Sequence, residues 1–501
     1  VSPQPITSIA IIGGDISAWA AAAWLANTLK GTAVKITLLE LPDMVNAEPM
    51  QHTVPETLQY FEPLGIDAAE LVRKTGATYK LGVGLHDIAS DNDNDHRVLA
   101  FGPHGSVIGT VPFHHFVTRA RQDGANLTLN EFSPSAVAAR SGRFIRGDDT
   151  EAKNLPPLCY GLNFNTEKLT HLLSNNATIN GVGVVRSRID AVEFDTASGF
   201  IDKLVLENGA TLSADFFVDC SGEDALLIGE ACGIDFVDWS DVLPCSRSIA
   251  VTTKTDHDEI PVHHCTATNS GWLLKTPLQH RTACQYRYSP AHISDETAAG
   301  VLRDRVGLEN ADALAMSNIR SGYRRKIWHK NCIALGAAAG WVEPLDISNF
   351  HFLMSGLNKL TQLLPSRSME ATLATEYNRA MQDELECVRD FSLLHYHASA
   401  WRAGDFWDSV AAVSRPASFT QRLETFQSRG RIIYGEHETF TKETWAAAFF
   451  AARAFPQGYD PLLDSIEIEK LREHFLRMKQ AIQQSVQSMP LHRDYLASIR
   501  G

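Results

Sequence analysis

Residues Ile9–Leu25 read IAIIGGDISAWAAAAWL: an apolar strand, a glycine turn and an alanine-rich helix in immediate succession. That order is the first strand–turn–helix of a Rossmann-type unit, where backbone N–H groups at the helix start approach a dinucleotide pyrophosphate. The phosphate fingerprint is G-x-G-x-x-G/A. Gly13 fills its first position, Gly14 follows, and Ala18 fills its third. Asp15 stands where the middle glycine belongs. A carboxylate there adds bulk where backbone must approach, and negative charge where an anion would sit. A second strand follows at Val34–Glu40 (VKITLLE), and Glu40 lies 27 residues after Gly13 and 22 after Ala18. At that separation an acid meets a ribose hydroxyl. Gly13, Gly14, Ala18 and Glu40 are therefore the nucleotide-binding expectation.

Working outward, 501 residues can bury one large core or two to three modest ones. Forty-five basic against 59 acidic residues give a net charge of −14, which argues against a nucleic-acid or anionic-membrane surface. Apolar stretches are strand-length or interrupted, so no membrane span is expected. VSPQPITS at the start has no basic-then-apolar leader pattern. The eight cysteines are scattered without a C-x-x-C pair, which suits reduced thiols in a cytoplasm and offers no zinc site. No metal is expected.

Further along, Leu41–Leu81 carries proline-marked turns and a helical pattern. The polar stretch Ala89–Arg97 (ASDNDNDHR) reads as a loop. A helix at Thr166–Asn175 precedes alternating strands at Val182–Phe194 and Ile201–Leu206, with Asn208-Gly209 as a hairpin turn. The strand Phe216–Val218 runs into Asp219-Cys220-Ser221-Gly222, a strand end suited to a return into the parallel sheet near a cofactor. Another strand, Asn331–Leu335, opens into GAAAG at 336–340, whose small residues permit backbone to lie close to a planar ligand. Beyond Ser355 the pattern is mostly helical. The expected division is a FAD-binding module over 1–360, with an interleaved substrate-side sheet, and a mostly helical cap over 361–501.

Seven stretches in this order resemble the flavin-dependent tryptophan halogenase family: GGDISAW at 13–19, ATYKLG at 77–82, FVDCSG at 217–222, LPCSR at 243–247, SGWLLKTPLQHR at 270–281, GAAAGWVEPLDIS at 336–348 and RDFSLLHY at 389–396. The resemblance covers nearly the whole chain. It implies an α/β fold of the Rossmann-type, flavin monooxygenase-like class with a mostly helical second region. It further implies reduced FAD supplied by a separate flavin reductase, dioxygen, a halide, and halogenation of a small electron-rich aromatic of indole or phenol type. The family lysine falls on Lys80 and the family glutamate on Asp346, one methylene shorter. Hypohalous acid needs a donor or an amine to hold and aim it, and the carboxylate assists the substitution. Cofactor contacts carry over to Asp219, Gly340, Glu343, Pro344 and Leu345, the halide step to Ser348-Asn349, and the aromatic shelf to Phe101. A homodimer is left open.

Several positions depart from the family pattern. The halide step is Ser-Asn rather than Thr-Gly, so a side chain stands where close packing on the ring is needed. Of W-x-W-x-I-P, Trp272 and Pro277 persist while the second Trp and the Ile are Leu274 and Thr276. The flavin strap is represented by Asn46-Ala47-Glu48-Pro49 with a tail to Thr57, and Leu99 replaces a histidine. Tryptophan itself is therefore not the expected substrate. These departures keep two alternatives in view: a halogenase-like scaffold acting as a binding protein, and a flavin hydroxylase. Other residues read as structural: His263-His264 and His395-Tyr396-His397 lack a partner at zinc spacing, Cys265 reads as a core thiol, and Trp401, Phe406 and Trp407 as helix core. Arg320, Arg324 and Arg325 read as solvating a turn.

Overall fold

The computed structural model describes residues 4–42, 44, 46, 48–87, 97–106, 109–147, 149, 157–254, 260–308, 314–397 and 404–500. Strand β1 (Ser8–Gly13), helix α1 (Ile16–Thr28) and strand β2 (Lys35–Glu40) follow the predicted order. In a six-stranded sheet β1 lies between β2 and the strand Phe216–Cys220, parallel to both, with Gly13 in register with Glu40 and Cys220. The expected nucleotide residues therefore share one edge, the carboxyl end of the parallel strands, where open α/β sheets bind ligands. A Cβ on Gly13 would strike the Cys220 carbonyl oxygen, so this glycine is demanded by the approach of the neighbouring strand. Helix α1 has no polar stripe, and every residue from Ile16 to Ala26 is buried. It packs against the helices Thr166–Ile179 and Phe350–Gln362, the environment of a helix apolar on all sides.

A seven-stranded sheet forms the other half: Ala315–Asn318, Arg247–Lys254, Arg281–Tyr288, Gly271–Pro277, His263–Thr268, Gly82–Asp87 and Arg97–Ala100, in that order. Arg97 thus opens a strand, whereas 89–96 and Trp401 lie outside the described residues. Between the two sheets, β3 (Met50–His52) and β4 (Thr78–Lys80) flank the strand Gly161–Asn165, antiparallel to it on both sides. Asn208-Gly209 makes the predicted hairpin between Ile201–Leu206 and Thr211–Leu212. From Phe350 onward the chain is helical, including the long helix Ala371–His397. Among the described residues, no helix is long and apolar enough to cross a membrane.

Candidate active site

Lys80 ends β4 fully buried, a position hostile to an ammonium unless polar groups surround it. Its Nζ donates to the main-chain oxygen of Asp346 at 2.8 Å and lies 3.2 Å from His52 Nδ1. The Phe101 ring centroid is 5.2 Å away. The three-strand ribbon brings these groups together. His52 pairs with Asn163 and Lys80 with Gly161, so one strand separates them in register. Gly161 is glycine because a Cβ would collide with the Thr53 carbonyl. Burial pulls the Lys80 amine down to about 7 against the opposing pull of the Asp346 charge, so charged and neutral forms coexist near neutrality.

Asp346 presents its carboxylate elsewhere. Its Oδ2 lies 2.6 Å from His395 Nε2, on the long helix, while Oδ1 has no hydrogen-bond partner among the described groups. The next residue on that helix, Tyr396, donates to Glu343, whose carboxyl is pushed by burial up to about 7. RDFSLLHY is thus more than helix core, as a reading of its histidine as structural supposed: it orients both carboxyl groups. His263 is also drawn in. Its ring stacks on His52 at 4.1 Å, and its Nδ1 meets Thr276 Oγ1 at 2.6 Å. Burial holds both imidazoles well below their ordinary value, hence neutral. Nothing in the sequence pattern marks His52; its role comes from strand pairing across more than a hundred residues.

The expected halide step looks different in three dimensions. Asn349 turns its side chain back on the loop, accepting from Val342 N at 2.9 Å and donating to Val342 O at 3.0 Å. This clamp closes the loop that carries Glu343, Pro344, Leu345 and Asp346. The Ser348 amide donates to the His52 carbonyl at 3.1 Å, so a halide there must share or displace that bond. At Gly340 a Cβ would meet the Gly322 oxygen at 2.7 Å, so its smallness serves strand contact. Asp219 is engaged within the protein. Its carboxylate accepts from the amides of Ser221, Leu227 and Ile228 at 3.0, 2.9 and 2.8 Å, capping the turn 226–231, and it is fully buried.

At the carboxyl edge of the parallel sheet a cleft of about 550 Å³ is lined by Gly14, Glu40, Met44, Arg186, Arg188 and Asn208, among others. Glu40 is ion-paired with Arg186 at its mouth. An acid and two guanidinium groups suit the sugar and phosphate of a nucleotide. The phosphate cradle itself is filled by the chain. Asp15 caps α1, accepting from Ser17 N at 2.9 Å and Ala18 N at 3.4 Å, and the Asn46 side chain takes Ile16 N at 2.9 Å. The residues lining the cleft therefore fit the sugar end of a flavin dinucleotide, and Asp15 and Asn46 occupy the helix amides that would otherwise meet its phosphates. The strap region makes a second anchor further on. Glu48 bonds Arg287 at 2.7 Å and Gln285 at 2.6 Å, and the Arg287 guanidinium, fully buried, lies 5.0 Å from the Trp341 ring.

Comparison with known proteins gives a consistent picture. The sequence model of one family, tryptophan halogenase, matches residues 8–467. The tryptophan 6-halogenase ThaL of Streptomyces albogriseolus is 29% identical over 446 residues, covering 84% of this chain and 82% of that protein. The tryptophan 7-halogenase RebH of Lentzea aerocolonigenes is 27% identical over 473 residues, covering 88% and 87%. Among solved structures, BrvH, a flavin-dependent halogenase from Brevundimonas sp. BAL3, superposes with a TM-score of 0.92 at 28% identity, covering 99% of each chain.

Proposed function

The chain belongs to the tryptophan halogenase family, flavin-dependent enzymes that halogenate aromatic substrates, and on that premise we propose that Lys80 delivers the halogen here and Asp346 assists its transfer to an indole- or phenol-type ring beside Phe101. The observation that carries this reading is the Lys80 amine, buried with no carboxylate ion pair among the described residues and held by the Asp346 carbonyl and His52. Reduced FAD, supplied by a separate flavin reductase, contributes with dioxygen the two-electron oxidation that turns halide into hypohalous acid. Gly13, Gly14, Ala18 and Glu40 would hold its nucleotide half, in the cleft next to Arg186 and Arg188.

In the transfer step the carbon–halogen bond forms as the nitrogen–halogen bond at Lys80 breaks, and the ring proton passes by way of Asp346 to the amine nitrogen, which returns as the free amine. The Asp346 Oδ1 atom has no hydrogen-bond partner among the described groups and is suited to stabilise the cationic ring or take that proton. His395 on Oδ2 fixes the carboxylate. Trp272 meets His395, Tyr396 and Trp407 edge-on at 6.2, 5.4 and 5.3 Å, a wall that keeps an aromatic substrate on the Lys80 side. None of the eight cysteines is in a disulfide among the described residues, which fits a reducing cytoplasm.

Lys80→Met tests the reading. Halogenation should fall by at least about a hundredfold, the scale of a lost proton-handling group, while FAD affinity by fluorescence quenching stays unchanged. In the unmutated protein the rate should rise with pH through about 7, as the neutral amine is populated. Wild-type halogenation by Lys80→Met would remove Lys80 from the mechanism.

A further inference from the structure

We propose that His52 is the positioning residue for Lys80: its Nδ1 accepts one N–H of the amine, the Asp346 carbonyl accepts another, and the remaining tetrahedral position on nitrogen is left for the incoming halogen. The inference deepens the reading above and rests on it.

The geometry is over-determined. His52 is held by strand pairing with Asn163, by its carbonyl on the Ser348 amide, and by its ring against His263. His263 is tied in turn to Thr276. His52 is thus a fixed acceptor, and with Nδ1 accepting, the ring proton belongs on Nε2. A neutral amine has two hydrogens and one lone pair. The Asp346 oxygen at 2.8 Å and His52 Nδ1 at 3.2 Å account for the hydrogens, which orients the lone pair. When hypohalous acid arrives, the N–X bond forms as the O–X bond breaks, and the displaced amine proton leaves with hydroxide as water. The charged and titratable groups around this pair are Asp346 on the loop after Trp341, His263 on its strand, and Arg287 on the strand Arg281–Tyr288. The same contacts tie the strap to the active-site loop, since one residue grips Ser348 through its backbone and Lys80 through its ring.

The experiment compares His52→Leu with His52→Asn, whose Oδ1 falls near the position of Nδ1. Two quantities are read: the pH midpoint of Lys80, from protein labelled with 13C at lysine Cε and assigned through Lys80→Met, and kcat for halogenation. An acceptor favours the charged amine, so His52→Leu should move the midpoint down. It should also lower kcat about tenfold, within the range of one hydrogen bond between neutral groups, with KM and FAD affinity unchanged. His52→Asn should restore both. An unshifted midpoint and full kcat in His52→Leu would overturn the proposal, as would a folded His52→Asn no better than the leucine variant. Failure of the underlying reading is separable, because it appears as wild-type halogenation by Lys80→Met while the titration still reports the grip of His52.

Discussion

Asp15 sets how readily the cofactor can enter. An unmodified Rossmann turn leaves helix amides open to phosphate oxygens. Here the carboxylate and Asn46 accept from the first three amides of α1, an internal anion mimic at the helix positive end. Burial pushes the Asp15 carboxyl up to about 6, against the amide bonds that pull it down. A diphosphate beside it favours the protonated acid further, so flavin binding takes up a proton at pH values above 6. Affinity should therefore weaken as pH rises from below 6 towards 8. Asp15→Asn keeps a capping side chain but removes the charge. At pH 7.5 it should bind FAD on the order of tenfold more tightly, the scale of one close charge repulsion in a water-like dielectric, with a flat pH dependence. Fluorescence quenching titrations across this range measure both, and equal affinity of variant and wild type would show that Asp15 does not oppose the phosphates.

At the scale of elements, the helices Phe350–Gln362 and Ala371–His397 carry the site from opposite sides and are bolted together by Glu384. Its carboxylate accepts from Ser355 at 2.8 Å and contacts Lys359 at 2.8 Å and His351 at 3.1 Å. Burial alone would raise this carboxyl; the Lys359 ammonium and the His351 contact outweigh it and hold it at about 2. Unfolded, a glutamate titrates near 4.5, so between about 4.5 and 2 the unfolded chain binds more protons. The stability this group contributes is present above 4.5 and is lost as pH falls through that window. It amounts to about 3 kcal/mol. Glu384→Gln should lower unfolding free energy by roughly that amount at pH 7 in urea titrations, and the gap from wild type should shrink by pH 3. The helices themselves were legible from their periodicity. Their coupling was not, because a Glu at mid-helix looks like any solvated acid until tertiary packing buries it beside a lysine from another helix.

Across the whole molecule, legibility follows sequence distance. The β1–α1–β2 unit is readable because strand, turn and helix signals are contiguous, and Lys80 and Asp346 can be singled out because each lies in a stretch that resembles the family. The seven-stranded sheet is not readable: it pairs Gly82–Asp87 in parallel with His263–Thr268, and alternation along a strand names no partner that far away. His52 escapes notice for the same reason, entering the site only through such a pairing, whereas His395 lies in a stretch the resemblance names and takes its part through a contact between the long helix and the loop that carries Asp346.

The expected division at residue 360 is also a statement about distance, and it can be tested as one. A domain carries its own core, yet one continuous cluster of buried apolar residues runs from Ile6 to Leu496. Trp24 donates to Thr361, Asn378 bonds both backbone groups of Trp328, and Trp407 donates to the Thr268 carbonyl while packing on Trp272. We infer that the C-terminal helices complete the sheet's core rather than sit on a finished one. We predict that thermal unfolding followed by far-ultraviolet dichroism and by tryptophan fluorescence gives coincident transitions, and that a chain ending at residue 360 is recovered as aggregate, because removal of the helices exposes a large apolar face. Two well-separated transitions, or a soluble 1–360 fragment with native dichroism, would establish the helical region as an independent cap.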